Sequence, residues 1–212
     1  MSDIAHLGHV EVLTDRFDES LDFFTRVYGL KLSGQDGGSA YLRAWDDYEF
    51  HSLKLTRADT TGVGHVAYRA ASPEALERRA AAIEASGYPV QGWVEGDIGH
   101  GRAYRFEDPF GHVFEIYYDT EWYHPPEADR PALKNTASAF TGAAPRRLDH
   151  VNLLAEDVTR FRRFMETCLG SRVTELIRLD NGRIGGCWFT VNNKTYDLAC
   201  AEEHGGGRGR LH

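Results

Sequence analysis

An internal repeat is the feature that most constrains how this chain of 212 residues can fold. Two segments resemble each other: HLGHVEVLTDRFDESLDFFTRVYGLKLSG, from His6, and RLDHVNLLAEDVTRFRRFMETCLGSRVTE, from Arg147. Each contains a histidine on a short alternating stretch, then an acidic loop, an amphipathic stretch and a glycine. His9 corresponds to His150 in this alignment. A repeat of this length indicates duplicated small domains and not a short-period solenoid.

The hydrophobic spacing in each repeat predicts a strand followed by a helix. Val10 and Val12 alternate with His9 and Glu11, which is the two-residue period of a strand that buries one face. The apolar residues that follow recur at three- and four-residue steps and stop before Gly29, as in an amphipathic helix with a C-terminal glycine.

A second strand–helix unit begins near Gly62, with His65 on its first strand. Residues 1–120 are therefore predicted to form one α+β domain built from two tandem βαβββ modules. Residues 121–146 are rich in Pro, Ala and polar side chains and are predicted to be a linker. Residues 147–212 then supply the first half of a second domain, which we expect to be incomplete, since the repeat would require roughly 60–80 further residues.

Charge and cysteine content restrict the partners and the compartment. The formal net charge is −8, which argues against nucleic acid or an anionic membrane as a partner. The three cysteines show no spacing of a disulfide framework. No apolar run approaches a membrane span, and the N-terminus lacks the pattern of a secretory signal. These features predict a soluble, cytoplasmic protein.

Three residues of the first domain form a candidate metal-binding set. His9 and His65 each lie on the first strand of a module, and Glu115 lies on the last predicted strand. If the two modules form pseudo-symmetric halves of a curved sheet, these side chains converge. Two histidines and one carboxylate are the facial triad of non-haem Fe(II) sites, and they also suit Mn(II). A single strand histidine is more often only a hydrogen-bonded structural residue, so this set is an alternative to the one below.

The second domain offers His150 as a first metal ligand, by its correspondence to His9. Aligning YEFHSLKLTRADTTGVGHV with KTYDLACAEEHGGGRGRLH places the counterpart of His65 at the end of the chain. His212 is then either the second ligand or the residue immediately before it. The counterpart of Glu115 is expected beyond residue 212.

Several segments together carry a resemblance to a known family: LDHVNLL, YLRAWDDYEFHSLKL, DPFGHVFEIYY, HPPEADRPALKN and the terminal GRLH. Their combination resembles the catechol 2,3-dioxygenase group of extradiol, ring-cleaving dioxygenases. The resemblance covers nearly the whole chain. It implies two domains of the vicinal-oxygen-chelate, or glyoxalase-like, fold and a homo-oligomer. It also implies an Fe(II) ion in the C-terminal domain, with His150 as a ligand, and a catechol-type substrate that is cleaved by dioxygen.

One position departs from the family pattern. Where the family commonly has an acid–base histidine, this chain has Tyr196, in the run Tyr-Asp-Leu-Ala, while His51 occupies the equivalent place in the first domain. A phenol is a poor general base near neutrality but can donate a hydrogen bond. Two other functions stay open from the sequence: a glyoxalase-like lyase or transferase of the same superfamily, and a metal-free module that binds a flat ligand.

Overall fold

The computed structural model describes residues 2–124 and 141–205 together with the backbone of residues 210–211. The central part of the predicted linker and His212 lie outside the described residues. The first module contains β1 (Ile4–Thr14), α1 (Phe17–Asp22), β2 (Lys31–Asp36), β3 (Ser39–Arg43) and β4 (Leu53–Arg57). The second contains β5 (Gly62–Ala70), α2 (Pro73–Ser86), β6 (Val90–Val94), β7 (Ala103–Glu107) and β8 (Val113–Tyr117).

The third module repeats the same order of elements. It contains β9 (Val151–Ala155), α3 (Val158–Phe164), β10 (Arg172–Arg178), β11 (Ile184–Thr190) and β12 (Leu198–Glu202), and β13 (Arg210–Leu211) follows it. The predicted α+β fold of tandem βαβββ modules is confirmed. The division at residues 120 and 146 stays a prediction.

Strand order shows how the modules combine. The first two form one eight-stranded sheet in the order β2-β3-β4-β1-β5-β8-β7-β6. Its centre is the antiparallel pair of β1 and β5, and each of these strands is flanked by a parallel partner from its own module. The second sheet has the order β10-β11-β12-β9-β13, which is the order of the first five strands of the larger sheet. The repeat in the sequence is therefore a repeat in topology.

The predicted helices of the first and third modules are α-helical only in their first half. A π-helical turn, Phe23–Val27, follows α1, and another, Met165–Leu169, follows α3. In the first of these, the amide of Tyr28 donates to the carbonyl of Phe23, a five-residue step. The same change occurs at the same place in both copies of the repeat, whereas α2 of the second module is α-helical up to Gly87, so the turn is a shared property of the first and third modules.

Helix α2 shows how the sequence sets the limits of an element. The hydroxyl of Ser72 accepts a hydrogen bond from the amide of Ala75 at 3.1 Å, and Pro73 occupies the first helical position. Gly87 ends the helix with a φ of 77°, in the left-handed region that glycine adopts at little cost.

The main core joins the two predicted domains on the helix-covered side of the sheets. Phe164, from α3, lies 5.7 Å from the ring of Phe106 and 5.1 Å from that of Phe114, on strands β7 and β8. Leu76 and Ile83, from α2, belong to the same buried cluster. The alternation within each strand therefore directs His9, His65 and their polar neighbours to the opposite face of the large sheet. None of the described helices has the length and apolar composition that a membrane span requires.

Candidate metal centre

The central strand pair of the large sheet brings two histidines into contact. His9 lies on β1 and His65 on β5, and their Nε2 atoms are 2.9 Å apart. Both residues are buried, with 0% and 1% of their surface exposed. Register shifts in the β1–β5 ladder, between Leu7 and His9 and between Val10 and Val12, interrupt the regular pairing there. Such bulges turn side chains away from their regular directions.

A carboxylate fixes the orientation of one of these rings. His65 Nδ1 lies 2.8 Å from Glu11 Oε2. If Nδ1 carries the proton and donates a hydrogen bond to Glu11, the lone pair of Nε2 points into the space shared with His9. A histidine ligand that donates its other ring N–H to a carboxylate is the usual arrangement around protein-bound metals.

The loop between β6 and β7 contributes two residues that the sequence analysis missed. Asp97 Oδ2 lies 3.4 Å from His9 Nε2 and 3.7 Å from His65 Nε2. His100 stacks on His51, with ring centroids 4.5 Å apart. The sequence signal for this loop is the run Asp-Ile-Gly-His, which folds as a turn: the amide of His100 donates to the carbonyl of Asp97, and the intervening glycine has a φ of 82°.

Glu115, the carboxylate predicted for the first domain, is buried beside the same histidines but has another partner. Its Oε2 lies 3.9 Å from His65 Nε2 and accepts a hydrogen bond from Arg105 Nε at 2.6 Å. Asp97 is closer than Glu115 to His65. The structure thus brings His9, His65 and Glu115 together, and adds Asp97, which lies 3.4 Å and 3.7 Å from the Nε2 atoms of His9 and His65.

His51, the first-domain counterpart of Tyr196, is completely buried in this cluster. Its ring centroid lies 4.6 Å from that of His9, and its Nε2 lies 3.9 Å from Asp97 Oδ2. Burial lowers the pKa of His51 well below its ordinary range, and burial together with the charge of His9 lowers the pKa of His100 to about 3. Both rings are therefore neutral at pH 7, which is the form that binds a metal ion.

The carboxylates of the cluster are held ionised by their partners. Burial would raise the pKa of Glu11, but the hydrogen bond from His65 and the charge of Lys54 outweigh it and lower that pKa to about 2. The pKa of Asp97 is also lowered against the effect of burial, by His9 and by Lys54, whose Nζ lies 2.6 Å from Asp97 Oδ1. The anionic form is the one that ligates metals.

Many polar atoms of the cluster are buried without a hydrogen-bond partner in the protein. They are His9 Nδ1, both ring nitrogens of His51, both ring nitrogens of His100, Asp97 Oδ2 and Glu115 Oε1. Leaving such a group unsatisfied costs about 1–3 kcal/mol. Among the residues that the structure describes, two groups of ligand atoms are close enough to share one ion: those of His9, His51 and His100, and those of His9, His65 and Asp97. The residues present therefore fit a bound metal ion.

The second candidate centre, around His150, is more exposed to solvent than the first. The side chain of His150 is 38% exposed, and its Nδ1 lies 2.8 Å from Asp149 Oδ2. The ring of Tyr196 lies edge-on at a centroid distance of 4.8 Å. If Nδ1 carries the proton and donates a hydrogen bond to Asp149, the Nε2 atom has a free lone pair. Tyr196 and His150 are thus neighbours, whereas His212 lies outside the described residues.

Strand register relates the end of the chain to the first domain. Leu211 pairs with Leu153 on β9, as Val63 pairs with Val12 on β1. Leu211 therefore corresponds to Val63, and His212 to Gly64, the residue before His65. The assignment of a metal ligand at His212, or directly after it, stays a prediction.

Two cavities adjoin these centres. A cavity of about 430 Å³ extends from His150 and Asn152 to apolar residues of the first module, among them Val12 and Phe24. A smaller one, of about 160 Å³, lies between Glu49 and His51 on one side and Lys194 on the other. The smaller cavity reaches His51 but is not lined by His9 or His65.

Comparison with known proteins decides the family. Residues 6–116, more than half of the chain, match the Glyoxalase/Bleomycin resistance protein/Dioxygenase superfamily. The chain belongs to this superfamily. The superfamily relative metapyrocatechase of Geobacillus stearothermophilus is 42% identical over 212 residues, which are 99% of this chain and 64% of that protein. The manganese-dependent 2,3-dihydroxybiphenyl 1,2-dioxygenase of Geobacillus genomosp. 3 is 36% identical, over 100% of this chain and 68% of that protein. The chain thus spans about two thirds of the length of these relatives.

Solved structures of dioxygenases superpose on this chain and lead to the same family. The 2,3-dioxygenase LapB from Pseudomonas sp. KL28 superposes with a TM-score of 0.86 at 25% identity, covering 100% of this chain and 74% of that one. Homoprotocatechuate 2,3-dioxygenase from Brevibacterium fuscum, in complex with 3,4-dihydroxyphenylacetate, superposes with a TM-score of 0.83 at 29% identity, covering 100% of this chain and 63% of that one. The resemblance to extradiol dioxygenases that the sequence motifs carry is confirmed.

Proposed function

We propose that this chain is part of a metal-dependent extradiol dioxygenase that opens catechol, or a substituted catechol, beside the diol with dioxygen. The observation that carries the proposal is the 42% identity to a metapyrocatechase over 99% of the chain, across all three modules. A match confined to a single βαβββ module would not identify the reaction, because proteins that share one fold catalyse many different reactions. The proposed metal is Fe(II) or Mn(II), since one relative is named as manganese-dependent.

We place the reaction at the centre that begins with His150. His150 is exposed to solvent and adjoins the larger cavity, whereas His9 and His65 are buried. A cavity of this size lies within the range of about 300–1,000 Å³ that small-molecule sites occupy. Asp149 supports the assignment, because a carboxylate on Nδ1 orients the imidazole and increases the basicity of Nε2. The second ligand is proposed at His212 or the residue after it.

When bound, the ion supplies a Lewis acid that makes the catechol hydroxyl more acidic and a redox centre that brings dioxygen to the diol. Tyr196 lies against the His150 ring, where its phenol can donate a hydrogen bond to an oxygen atom of the reacting pair. Apolar side chains of the cavity, such as Val12 and Phe24, can pack on a flat ring and exclude water from it. The chain would thus position a ring, orient one ligand and stabilise charge that develops on oxygen.

Oxygen consumption tests the proposal. The protein is loaded anaerobically with Fe(II) or with Mn(II), mixed with catechol and air-saturated buffer, and followed by oxygen uptake and by the yellow ring-fission product. We expect one dioxygen consumed per product formed, loss of turnover in His150→Ala, and turnover retained in His6→Gln, whose ring contacts Glu49. Turnover that survives His150→Ala but is lost in His9→Gln would move the reaction to the first domain. A folded, metal-loaded protein that contains the whole second domain and consumes no oxygen would contradict the proposed function.

A further inference from the structure

The proposed reaction does not use the buried cluster of the first domain. We name the His9–His65–Asp97 triangle after the three residues that form it. Each of them is at most 9% exposed, and they come from strands β1 and β5 and from the loop between β6 and β7. The adjoining cavity stops at His51. That cavity is not lined by any residue of the triangle, which has the donor atoms of a metal site.

The dimensions of the triangle match one ion. The edges are 2.9 Å from His9 Nε2 to His65 Nε2, 3.4 Å from His9 Nε2 to Asp97 Oδ2 and 3.7 Å from His65 Nε2 to Asp97 Oδ2. Ligands bonded to a tetrahedral zinc-type ion at about 2.0–2.2 Å lie about 3.4 Å from one another. The observed edges scatter around that value. Only the shortest edge also matches a direct hydrogen bond with good geometry.

A further imidazole stands next to the triangle. His51 is fully buried, both of its ring nitrogens lack a hydrogen-bond partner, and its Nε2 lies 3.9 Å from Asp97 Oδ2. A buried imidazole with two unsatisfied nitrogens is unfavourable in a metal-free protein, since each unsatisfied group costs about 1–3 kcal/mol. A water molecule bound to the ion would give one of these nitrogens a hydrogen-bond partner.

We propose that the first domain binds one divalent transition-metal ion of the zinc type at His9 Nε2, His65 Nε2 and Asp97 Oδ2. Two imidazoles and one carboxylate are a donor set that such ions accept, and a water molecule completes the four-coordinate arrangement. The site is buried and serves stability: the ion ties together the two central strands and the loop between β6 and β7.

The surrounding residues suit this role. Glu11 orients the ring of His65 from its Nδ1 side, at 2.8 Å. Lys54 holds Asp97 by Oδ1, which leaves Oδ2 directed at the imidazoles. Arg105 engages Glu115 in a 2.6 Å hydrogen bond, so that Glu115 is a neighbour of the site and not a required ligand. This assignment differs from the set His9, His65 and Glu115 that the strand pattern predicts.

Metal stoichiometry and an optical signal test the proposal without reference to turnover. The His150→Ala protein is used throughout, so that the centre proposed for the reaction does not contribute. It is stripped with a chelator, dialysed against Zn(II) or Co(II), and assayed for bound metal by elemental analysis. We expect one equivalent per chain and, with Co(II), the intense visible absorption of tetrahedral coordination. At a 100-fold excess over Kd, Zn(II) should raise the unfolding midpoint by about 5–10 °C.

Substitutions in the same protein locate the ion. His9→Gln and Asp97→Asn should each weaken Zn(II) binding by at least about 100-fold, because ligand loss exceeds the 10–100-fold effect of outer-shell changes. His6→Gln is the matched control, since His6 lies on the same strand but contacts Glu49 instead, and it should retain one equivalent. If His9→Gln fails to fold, the near-isosteric Asp97→Asn decides. Less than about 0.2 equivalent in the parent protein, or unchanged affinity in a folded Asp97→Asn protein, would overturn the proposal.

Discussion

Glu11 Oε2 lies 2.8 Å from His65 Nδ1, on the far side of the imidazole ring from the Nε2 atom that meets His9. This contact sets the ring orientation without touching the triangle itself. We therefore expect Glu11→Gln to lower the affinity of the first domain for Zn(II) by about 10–100-fold. A competition titration against a chromophoric chelator measures the change. Glu19→Gln, at an exposed position of α1, should bind as the parent does, and equal affinities in both variants would contradict an orienting role for Glu11.

Two glycines on β5 provide a matched test of packing around the same carboxylate. A Cβ atom added at Gly64 would overlap the Glu11 carboxylate, whereas one at Gly62 would meet nothing within 4 Å. Gly64→Ala should therefore reduce the free energy of unfolding by about 1–3 kcal/mol, the usual cost of overpacking. Gly62→Ala should change it by less than about 0.5 kcal/mol. Urea denaturation followed by circular dichroism checks both values, and similar stabilities would show that Glu11 moves aside freely.

Phe164 and Phe23 occupy corresponding positions of the two repeats but differ in burial. Phe164 is fully buried against Phe106 and Phe114, while Phe23 is 47% exposed. Phe164→Ala should cost about 3–5 kcal/mol, as expected for a large cavity in a core. Because this core joins the two sheets, both should become less stable together. Phe23→Ala should cost far less, and equal losses in denaturant melts would contradict the described packing.

The three cysteines are buried and unpaired, which predicts slow thiol chemistry. Burial raises the pKa of Cys168 and of Cys187 to about 11, and it also raises the pKa of Cys200. With a pKa near 11, only about 0.1% of a thiol is the reactive thiolate at pH 8. Ellman's reagent should thus react slowly with the native protein and label three thiols in denaturant. Rapid labelling of the native protein at pH 8 would mean that a cysteine is accessible.

Tyr196 can be tested separately from the packing of its ring. Tyr196→Phe keeps the aromatic contact with His150 and removes only the hydroxyl. If that hydroxyl supports the proposed reaction, kcat should fall by about 100-fold, a typical effect of losing one hydrogen-bond donor to charge that develops on oxygen, while KM changes little. Steady-state oxygen uptake measures both constants. Unchanged kcat would restrict Tyr196 to positioning the His150 ring.

The order of elements was predictable because it depends on local patterns. The two-residue alternation around His9 predicted a strand with one polar face, and the strand–helix unit predicted from Gly62 onward corresponds to β5 and α2. The repeat predicted His150 on the first strand of the third module, as His9 lies on β1, and the structure places it directly before β9. What these patterns could not show is the π-helical turn after α1, because a one-residue change in hydrogen bonding leaves the hydrophobic spacing almost unaltered.

The sequence by itself determined the βαβββ modules, the family, and the set of histidines and carboxylates on the inner strands, since strand period and motif spacing are local properties. Only the tertiary structure decided which of those groups meet. Asp97 and His100 come from a loop without periodicity, and their approach to His9 depends on the pairing of strands that are distant in the chain. Burial likewise separates the closed cluster from exposed His150, because solvent access is set by packing across modules and not by any single segment.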